Sequence, residues 1–187
     1  MTDARAYGPQ VLTGDRVRLR QLEDDELKLV ERWWNDPSVL PLQTSGLPPR
    51  PAGGWAEQLK LWHANADPSS VGFAVAARED DLLLGTVALH SMDALGQAAT
   101  FGIMLGPPAQ GRGLGEEATR LMVDYGFRAR PLHRIELRVW SYNERARTVY
   151  ERAGFREEGR RREVVFLDGA WHDEIVMGLL RSEWAAR

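Results

Sequence analysis

Residues 98–115, AATFGIMLGPPAQGRGLG, decide the fold class of this 187-residue chain. The first eight residues, 98–105, are typical of a buried strand, and the Gly-Pro-Pro at 106–108 ends it. The helix predicted over 114–128 has an apolar stripe at helical spacing, formed by Leu114, Ala118, Leu121, Met122 and Tyr125. An alternating strand follows at 135–139. This strand–helix–strand order predicts two parallel strands joined by a right-handed crossover.

The rest of the chain adds strands on both sides of this unit. Alternating or apolar runs predict strands over 16–22, 71–78 and 82–90, and Asp168-Gly169 predicts a two-residue turn between two C-terminal strands. Helices are predicted over about 24–34, 55–65 and 143–152, with a loop over 40–54. We therefore expect a mixed α/β (α+β) fold. It has a single central sheet of about seven strands, about four flanking helices and one domain over 1–187.

Composition excludes several classes of protein. The chain is 43% apolar and 27% charged, which is typical of a globular protein, and no apolar run has the length of a membrane span. It has no cysteine, so disulfides and thiolate metal sites are excluded, and four scattered histidines predict no metal site. We expect a cytoplasmic protein, because the absence of cysteine fits a reducing compartment.

Charge is distributed unevenly along the chain. Residues 112–162 contain 13 Arg and 8 acids, a local +5, whereas the net charge of the chain is −3 and the remainder therefore carries −8. A nucleic-acid-binding domain is usually basic as a whole, so this pattern favours a local anionic partner and no nucleic acid.

The glycine-rich turn Gln110-Gly111-Arg112-Gly113-Leu114-Gly115 is the strongest chemical signal. Glycines let backbone N–H groups approach an anion closely, and the positive end of the following helix adds to the attraction. The turn lacks the Gly-Lys-Ser/Thr ending of a P-loop and the spacing of a dinucleotide fingerprint. From the residues alone, a phosphate site and a plain glycine turn remain open.

Four separately placed motifs together resemble the GNAT superfamily of N-acetyltransferases. The first is Gln110, Gly113 and Gly115 after the strand that ends at Leu105. The second is Asn143-x-x-Ala146-x-x-x-Tyr150-x-x-x-Gly154-Phe155. The beginning, 12–20 followed by Trp34-Asn35-Asp36-Pro37, and the ending, 171–184, resemble the ribosomal-protein acetyltransferase (RimJ/RimL-like) branch.

This resemblance implies acetyl-CoA as the donor and a primary amine as the acceptor. Ile103, Met104 and Leu105 would pair through their main chain with the pantetheine arm, and residues 110–115 would hold the pyrophosphate. Asn143 would face the pantetheine and Tyr150 would lie near the sulfur. Negative charge on the acetyl oxygen can be stabilised by a backbone N–H, and a tyrosine hydroxyl can protonate or hydrogen-bond a departing thiolate. Tyr150 could instead be only a packed aromatic residue.

The general base is where this sequence departs from many relatives. They carry a Glu on the strand before the loop, and here the strand reads Ala99-Thr100-Phe101-Gly102. Water, His90, Asp93 or Asp173 could take the proton, and His90 could equally be a structural histidine.

The acceptor site should involve the first two helices and the C-terminal hairpin. Trp34 and Trp55 could face a cationic amine, and His90 and Asp173 could also contact it. Trp34 could instead be core. Gln43 belongs to the same predicted region.

We expect acetyl transfer directly to a protein N-terminal α-amine. Alternatives are a small amine such as a polyamine, an amino acid or an aminoglycoside, and a non-catalytic acyl-CoA-binding module. A terminal hairpin leaves a free sheet edge, so a homodimer through the C-terminal strands and a monomer both remain open.

Overall fold

The computed structural model describes residues 3–51, 53–54, 56–66 and 68–187, and its strands form one mixed sheet. In chain order the strands are β1 (Val17–Arg20), β2 (Val71–Ala77), β3 (Leu83–Asp93), β4 (Ala98–Leu105), β5 (Arg134–Trp140), β6 (Arg156–Leu167) and β7 (Ala170–Leu180). They lie side by side in the order β1-β2-β3-β4-β5-β7-β6. The predicted fold class is confirmed.

The described residues include seven α-helices, more than the four predicted. They are α1 (Ala4–Leu12), α2 (Leu27–Trp34), α3 (Leu40–Gln43), α4 (Ala56–His63), α5 (Leu114–Ala129), α6 (Glu144–Arg152) and α7 (Arg181–Ala185). Helix α1 was not predicted, because Gly8 and Pro9 are poor helix formers. Its buried Val11 shows that tertiary packing supports it. The loop predicted over 40–54 contains the single turn α3.

The two faces of the sheet carry different helices. One hydrophobic cluster joins the sheet to α5 and α6 and includes Met122, Phe127 and Leu137. The other joins α2, α3 and α4 to the opposite face through Val30, Leu59 and Met104. A ligand that passes through the sheet would therefore meet a different set of helices on each side.

The predicted parallel pair is confirmed, and it is short. β4 pairs with β5 only over Ala98–Thr100 and Arg134–Glu136. Beyond Thr100 the strands diverge, while β4 stays paired with β3 as far as Leu105. The sheet therefore opens into a gap between β4 and β5. Along this gap the facing backbone groups of the two strands do not pair with each other.

The C-terminal hairpin forms as predicted. Asp168 and Gly169 both have positive φ, 50° and 76°, as a two-residue turn of this kind requires. β7 pairs with β5 on one side and β6 on the other, which leaves β6 as an edge of the sheet.

Candidate active site

A cavity of about 570 Å³ occupies the gap between β4 and β5. The divergence of the two strands creates it, and α3 and α6 supply further walls. The hydroxyl of Tyr142 donates a 2.6 Å hydrogen bond to the carbonyl of Pro41 and so ties α3 to the end of β5. The cavity is large enough for part of an extended ligand.

Two glutamine side chains donate hydrogen bonds to backbone carbonyl groups on the β4 edge of this cavity. Gln43 donates through Nε2 to the carbonyl oxygen of Ile103 at 3.2 Å. Gln110 donates in the same way to the carbonyl of Leu105 at 3.1 Å. A peptide-like chain lying in the gap would make the same kind of hydrogen bond as a neighbouring strand. The edge of β4 is therefore a fitting surface for the amides of a pantetheine arm.

The glycine-rich turn lies directly after β4. Gly111 and Gly113 have φ of 80° and 74°, a left-handed conformation that glycine adopts without steric cost. Gly113 is the N-cap residue of the 16-residue helix α5, and as a glycine it has no side chain that could cap the helix. The guanidinium of Arg16 donates to the carbonyls of Arg112 and Gly113 at 3.0 and 3.1 Å, which holds the turn in place. Uncapped N–H groups at the end of a long helix fit the pyrophosphate of acetyl-CoA.

Helix α6 brings Asn143 and Tyr150 to the cavity. Asn143 is the N-cap residue, and its Oδ1 accepts a 3.2 Å hydrogen bond from the backbone N–H of Ala146. This bond fixes the side chain and leaves Nδ2 without a hydrogen bond to the described residues. Tyr150 is 9% exposed and packs edge-on against Phe101 at 5.9 Å. Burial raises the pKa of Tyr150 to about 12, so its hydroxyl carries a proton at neutral pH.

Most of the sequence-predicted donor residues line this cavity. They are Ile103, Leu105, Gln110, Gly111, Gly113, Gly115, Asn143 and Tyr150. Met104 and Leu114 direct buried side chains into the two cores. Both residues are predicted to contact acetyl-CoA through main-chain groups. The position of their side chains does not test these contacts, which stay predictions. Arg112 is exposed and is not on the wall, whereas Arg145 and Arg152 are.

The predicted acceptor residues are not gathered at one place. Trp34 is 8% exposed in the second core, with the guanidinium of Arg50 5.4 Å from its ring centre. Asp173 accepts hydrogen bonds from the backbone N–H of Glu163 at 2.9 Å and from Arg160 at 3.2 Å, and it does not line the cavity. These bonds hold the pKa of Asp173 below its usual value. Trp55 lies outside the described residues.

His90 lies on β3 and is not one of the residues that line the cavity, but its ring is close to the cavity wall. A Cβ atom placed on Gly102, which lines the cavity, would be 3.8 Å from Nε2 of His90. The ring stacks on Trp62 at 5.1 Å and 12°, and Nδ1 is 3.1 Å from Oγ of Ser91. Burial lowers the pKa of His90, so the neutral ring is the main form at pH 7.

Sequence reasoning missed Glu174, a buried carboxylate on the cavity wall. It lies on β7 opposite Trp140 of β5, which also lines the cavity. Alternation along 171–180 places Glu174 and Asp173 on opposite faces, but the sequence alone does not say which face meets the cavity. Among the residues with described placement, no cluster of His, Asp or Glu could hold a metal ion. Within the same ranges, no helix is both long and apolar enough to cross a bilayer.

Comparison with known proteins places this geometry in a family. Residues 16–156 match the model of the acetyltransferase (GNAT) domain. In Bacillus subtilis, the probable N-acetyltransferase YjcK is 40% identical over 113 residues, which cover 59% of the chain and 62% of that protein. The putative ribosomal N-acetyltransferase YdaF is 33% identical over 105 residues, 56% of the chain and 57% of that protein. The chain thus spans less than two thirds of these two relatives.

Spermidine N-acetyltransferases match over a longer part of the chain. The spermidine N(1)-acetyltransferase of Escherichia coli (strain K12) is 30% identical over 171 residues, which cover 91% of the chain and 89% of that enzyme. The crystal structure of spermidine N-acetyltransferase from Vibrio cholerae in complex with CoA and spermine superposes with a TM-score of 0.80 at 28% identity. It covers 90% of this chain and 98% of that one.

Proposed function

The chain belongs to the acetyltransferase (GNAT) domain family, and from that membership we propose that it transfers the acetyl group of acetyl-CoA directly to a primary amine of a polyamine. The observation that carries the acceptor class is the likeness to spermidine N-acetyltransferases over about nine tenths of the chain. A protein N-terminal α-amine, the acceptor expected from sequence, has the support of YdaF over a shorter segment. The polyamine is therefore the better supported acceptor, and the N-terminal amine is the second candidate.

The donor site follows from the β4 edge and the glycine turn. Bound acetyl-CoA supplies an activated acetyl thioester. The N–H groups at the start of α5 would bind its pyrophosphate, and the carbonyls of Ile103 and Leu105 would accept hydrogen bonds from its pantetheine amides once Gln43 and Gln110 release them. Arg145 and Arg152 add positive charge on the cavity wall.

We assign the role of general base to His90, directly or through one water molecule. Its Nε2 lies 3.8 Å from the position of a Cβ on Gly102, a residue of the cavity wall, so a water molecule beside Gly102 would connect the ring to the cavity. Stacking on Trp62 fixes the plane of the ring. The neutral ring can accept the proton that the acceptor ammonium must lose before its nitrogen attacks the thioester carbonyl. His90 thereby fills the role that a strand Glu has in many relatives.

Tyr150 and Asn143 would act on the side of the cavity formed by α6. The protonated hydroxyl of Tyr150 can donate a hydrogen bond to the sulfur as negative charge develops there. Nδ2 of Asn143, left over from the helix cap, can donate to a carbonyl of the pantetheine arm.

A thiol-release assay with acetyl-CoA tests the proposal. The acceptors are spermidine, spermine, an amino acid, an aminoglycoside and short peptides with a free N-terminus, and a reaction without amine measures hydrolysis. We expect kcat/KM for spermidine to exceed that for each peptide at least tenfold. A preference for peptides would move the assignment to the N-terminal amine. Tight CoA binding without turnover of any amine would refute acetyl transfer.

The homodimer and the cytoplasmic location stay predictions. β6 is an edge of the sheet, and near its turn Phe166 and Trp171 are 53% and 59% exposed. These features support association through the C-terminal hairpin.

A further inference from the structure

Glu174 is a buried carboxylate that has no role in the proposed donor site or in the proposed proton transfer. The residue is 6% exposed and lines the cavity. It lies opposite Trp140 of β5 and opposite Arg161 of β6, so it faces the same side of the sheet as both. A charged group with so little contact with water is costly unless a cation accompanies it.

The cation that accompanies Glu174 in this structure is held weakly. Nη1 of Arg161 lies 2.7 Å from Oε2 of Glu174, but the side chain of Arg161 is 57% exposed. No hydrogen bond from the described residues reaches Oε1. An exposed guanidinium gains little from such a pair, because water solvates it well on its own. Arg161 can therefore be exchanged for another cation, whereas Glu174 cannot remain without one.

We propose that Glu174 binds the distal ammonium of a diamine or polyamine acceptor, which replaces Arg161. This inference rests on the proposed acetyl transfer to polyamines. The reacting nitrogen must be neutral and must reach the gap beside β4, so it is not the group that a carboxylate would hold. β5 lies between that gap and β7, and two strand spacings amount to about 10 Å. A flexible chain with a second cation at its far end spans this distance.

Arg138 is the neighbouring cation that the ammonium would meet. It lies on the same face of β5, two residues before Trp140, and lines the cavity with an exposed side chain. Among the described residues, Glu116 is the only other carboxylate on the cavity wall, and it is paired with Arg120 at 2.9 Å and Arg152 at 3.5 Å on the side of the glycine turn. Glu174 is thus the carboxylate available to an acceptor.

The test compares two acceptors of equal length, cadaverine and n-pentylamine, with the wild type and Glu174→Gln. The two amines differ by one cationic group. We expect Glu174→Gln to lower kcat/KM for cadaverine about tenfold or more and to change that for n-pentylamine less than about threefold. Equal losses for both amines, or no loss, would overturn the proposal. Unchanged CoA affinity and melting temperature show that the variant is folded.

Two further variants sharpen the test. Arg161→Gln removes the competing cation, so KM for cadaverine should fall about threefold or more. KM for n-pentylamine should not change. Asp173→Asn removes the adjacent carboxylate, which does not line the cavity. It should not change the ratio of kcat/KM for cadaverine to kcat/KM for n-pentylamine. A similar loss of cadaverine selectivity in Asp173→Asn would contradict a local role of Glu174.

Binding of cadaverine to the CoA complex, measured by calorimetry, separates this inference from the proposed function. Glu174-dependent binding without turnover would refute polyamine acetylation and leave the anchor standing. Turnover that does not depend on Glu174 would refute the anchor alone. Neither binding nor turnover would refute both.

Discussion

The change Tyr150→Phe distinguishes two roles for the hydroxyl on α6. It removes one oxygen from a side chain that is 9% exposed, and it keeps the ring contacts with Phe101 at 5.9 Å and Phe155 at 6.1 Å. No hydrogen bond joins this hydroxyl to the described residues. We therefore expect the melting temperature and the affinity for CoA to stay nearly unchanged.

The pKa of Tyr150 decides whether its hydroxyl transfers a proton to the thiolate or only donates a hydrogen bond to it. Burial raises this pKa to about 12, whereas a thiol like that of cysteine has a pKa of ~8.5. Full transfer of the proton to the thiolate would then cost about (12 − 8.5) × 1.36, or roughly 5 kcal/mol. Tyr150 should therefore donate a hydrogen bond without giving up its proton. A hydrogen bond to a charged group contributes about 1.5–3 kcal/mol, so the chemical step should slow about 10- to 160-fold.

Single-turnover thiol release at saturating acetyl-CoA measures this step. Because Tyr150 keeps its proton, the wild type and Tyr150→Phe should have pH–rate profiles of the same shape between about pH 7 and pH 10. A basic limb with a midpoint near 10 in the wild type alone would show that Tyr150 titrates normally and would refute the reasoning. An unchanged rate would remove the residue from the reaction.

Three other predictions concern the donor site and the base. Gly113→Ala forces a side chain into φ 74°, which costs roughly 1–2 kcal/mol. The affinity for CoA, measured by calorimetry, should fall about tenfold. Gly159→Ala is the matched control, because nothing lies within 4 Å of its new Cβ. Equal CoA affinities of Gly113→Ala and the wild type would refute the assignment of the glycine turn to CoA. Because the pKa of His90 is lowered and its neutral form accepts the proton, kcat/KM should decline as the pH falls through a value below 6.5, and His90→Gln should abolish this limb. A limb that persists in the variant would exclude His90. Gln43→Ala frees the carbonyl of Ile103 and should tighten CoA binding about two- to tenfold; weaker binding would show that Gln43 assists the donor.

Local signals made the donor side of the site predictable. The strand, glycine turn and helix of 98–129 are adjacent in sequence, and each is favoured by its own residues. Asn143 was predicted as an N-cap because its side chain competes for a nearby backbone N–H, and its hydrogen bond to Ala146 has that geometry. The turn at Asp168-Gly169 depends only on two residues that tolerate positive φ.

The acceptor side depends on contacts between distant segments. Trp34 could equally face a ligand or the core, and the packing of α2 against Leu59 and Met104 places it in the core. Asp173 was predicted to contact the acceptor, but hydrogen bonds to Arg160 and Glu163 keep it in the hairpin. Its neighbour Glu174 lines the cavity instead.

The sequence by itself therefore determined the order of the seven strands, the glycine turn before α5 and the cap of α6, because neighbouring residues create these features. Only the tertiary structure decided where β4 and β5 separate, that His90 lies against Gly102, and that Glu174 meets an exposed Arg161. These relations depend on strand register and on which face of the sheet is covered. A shift of one residue in register would place every side chain of a strand on the other face.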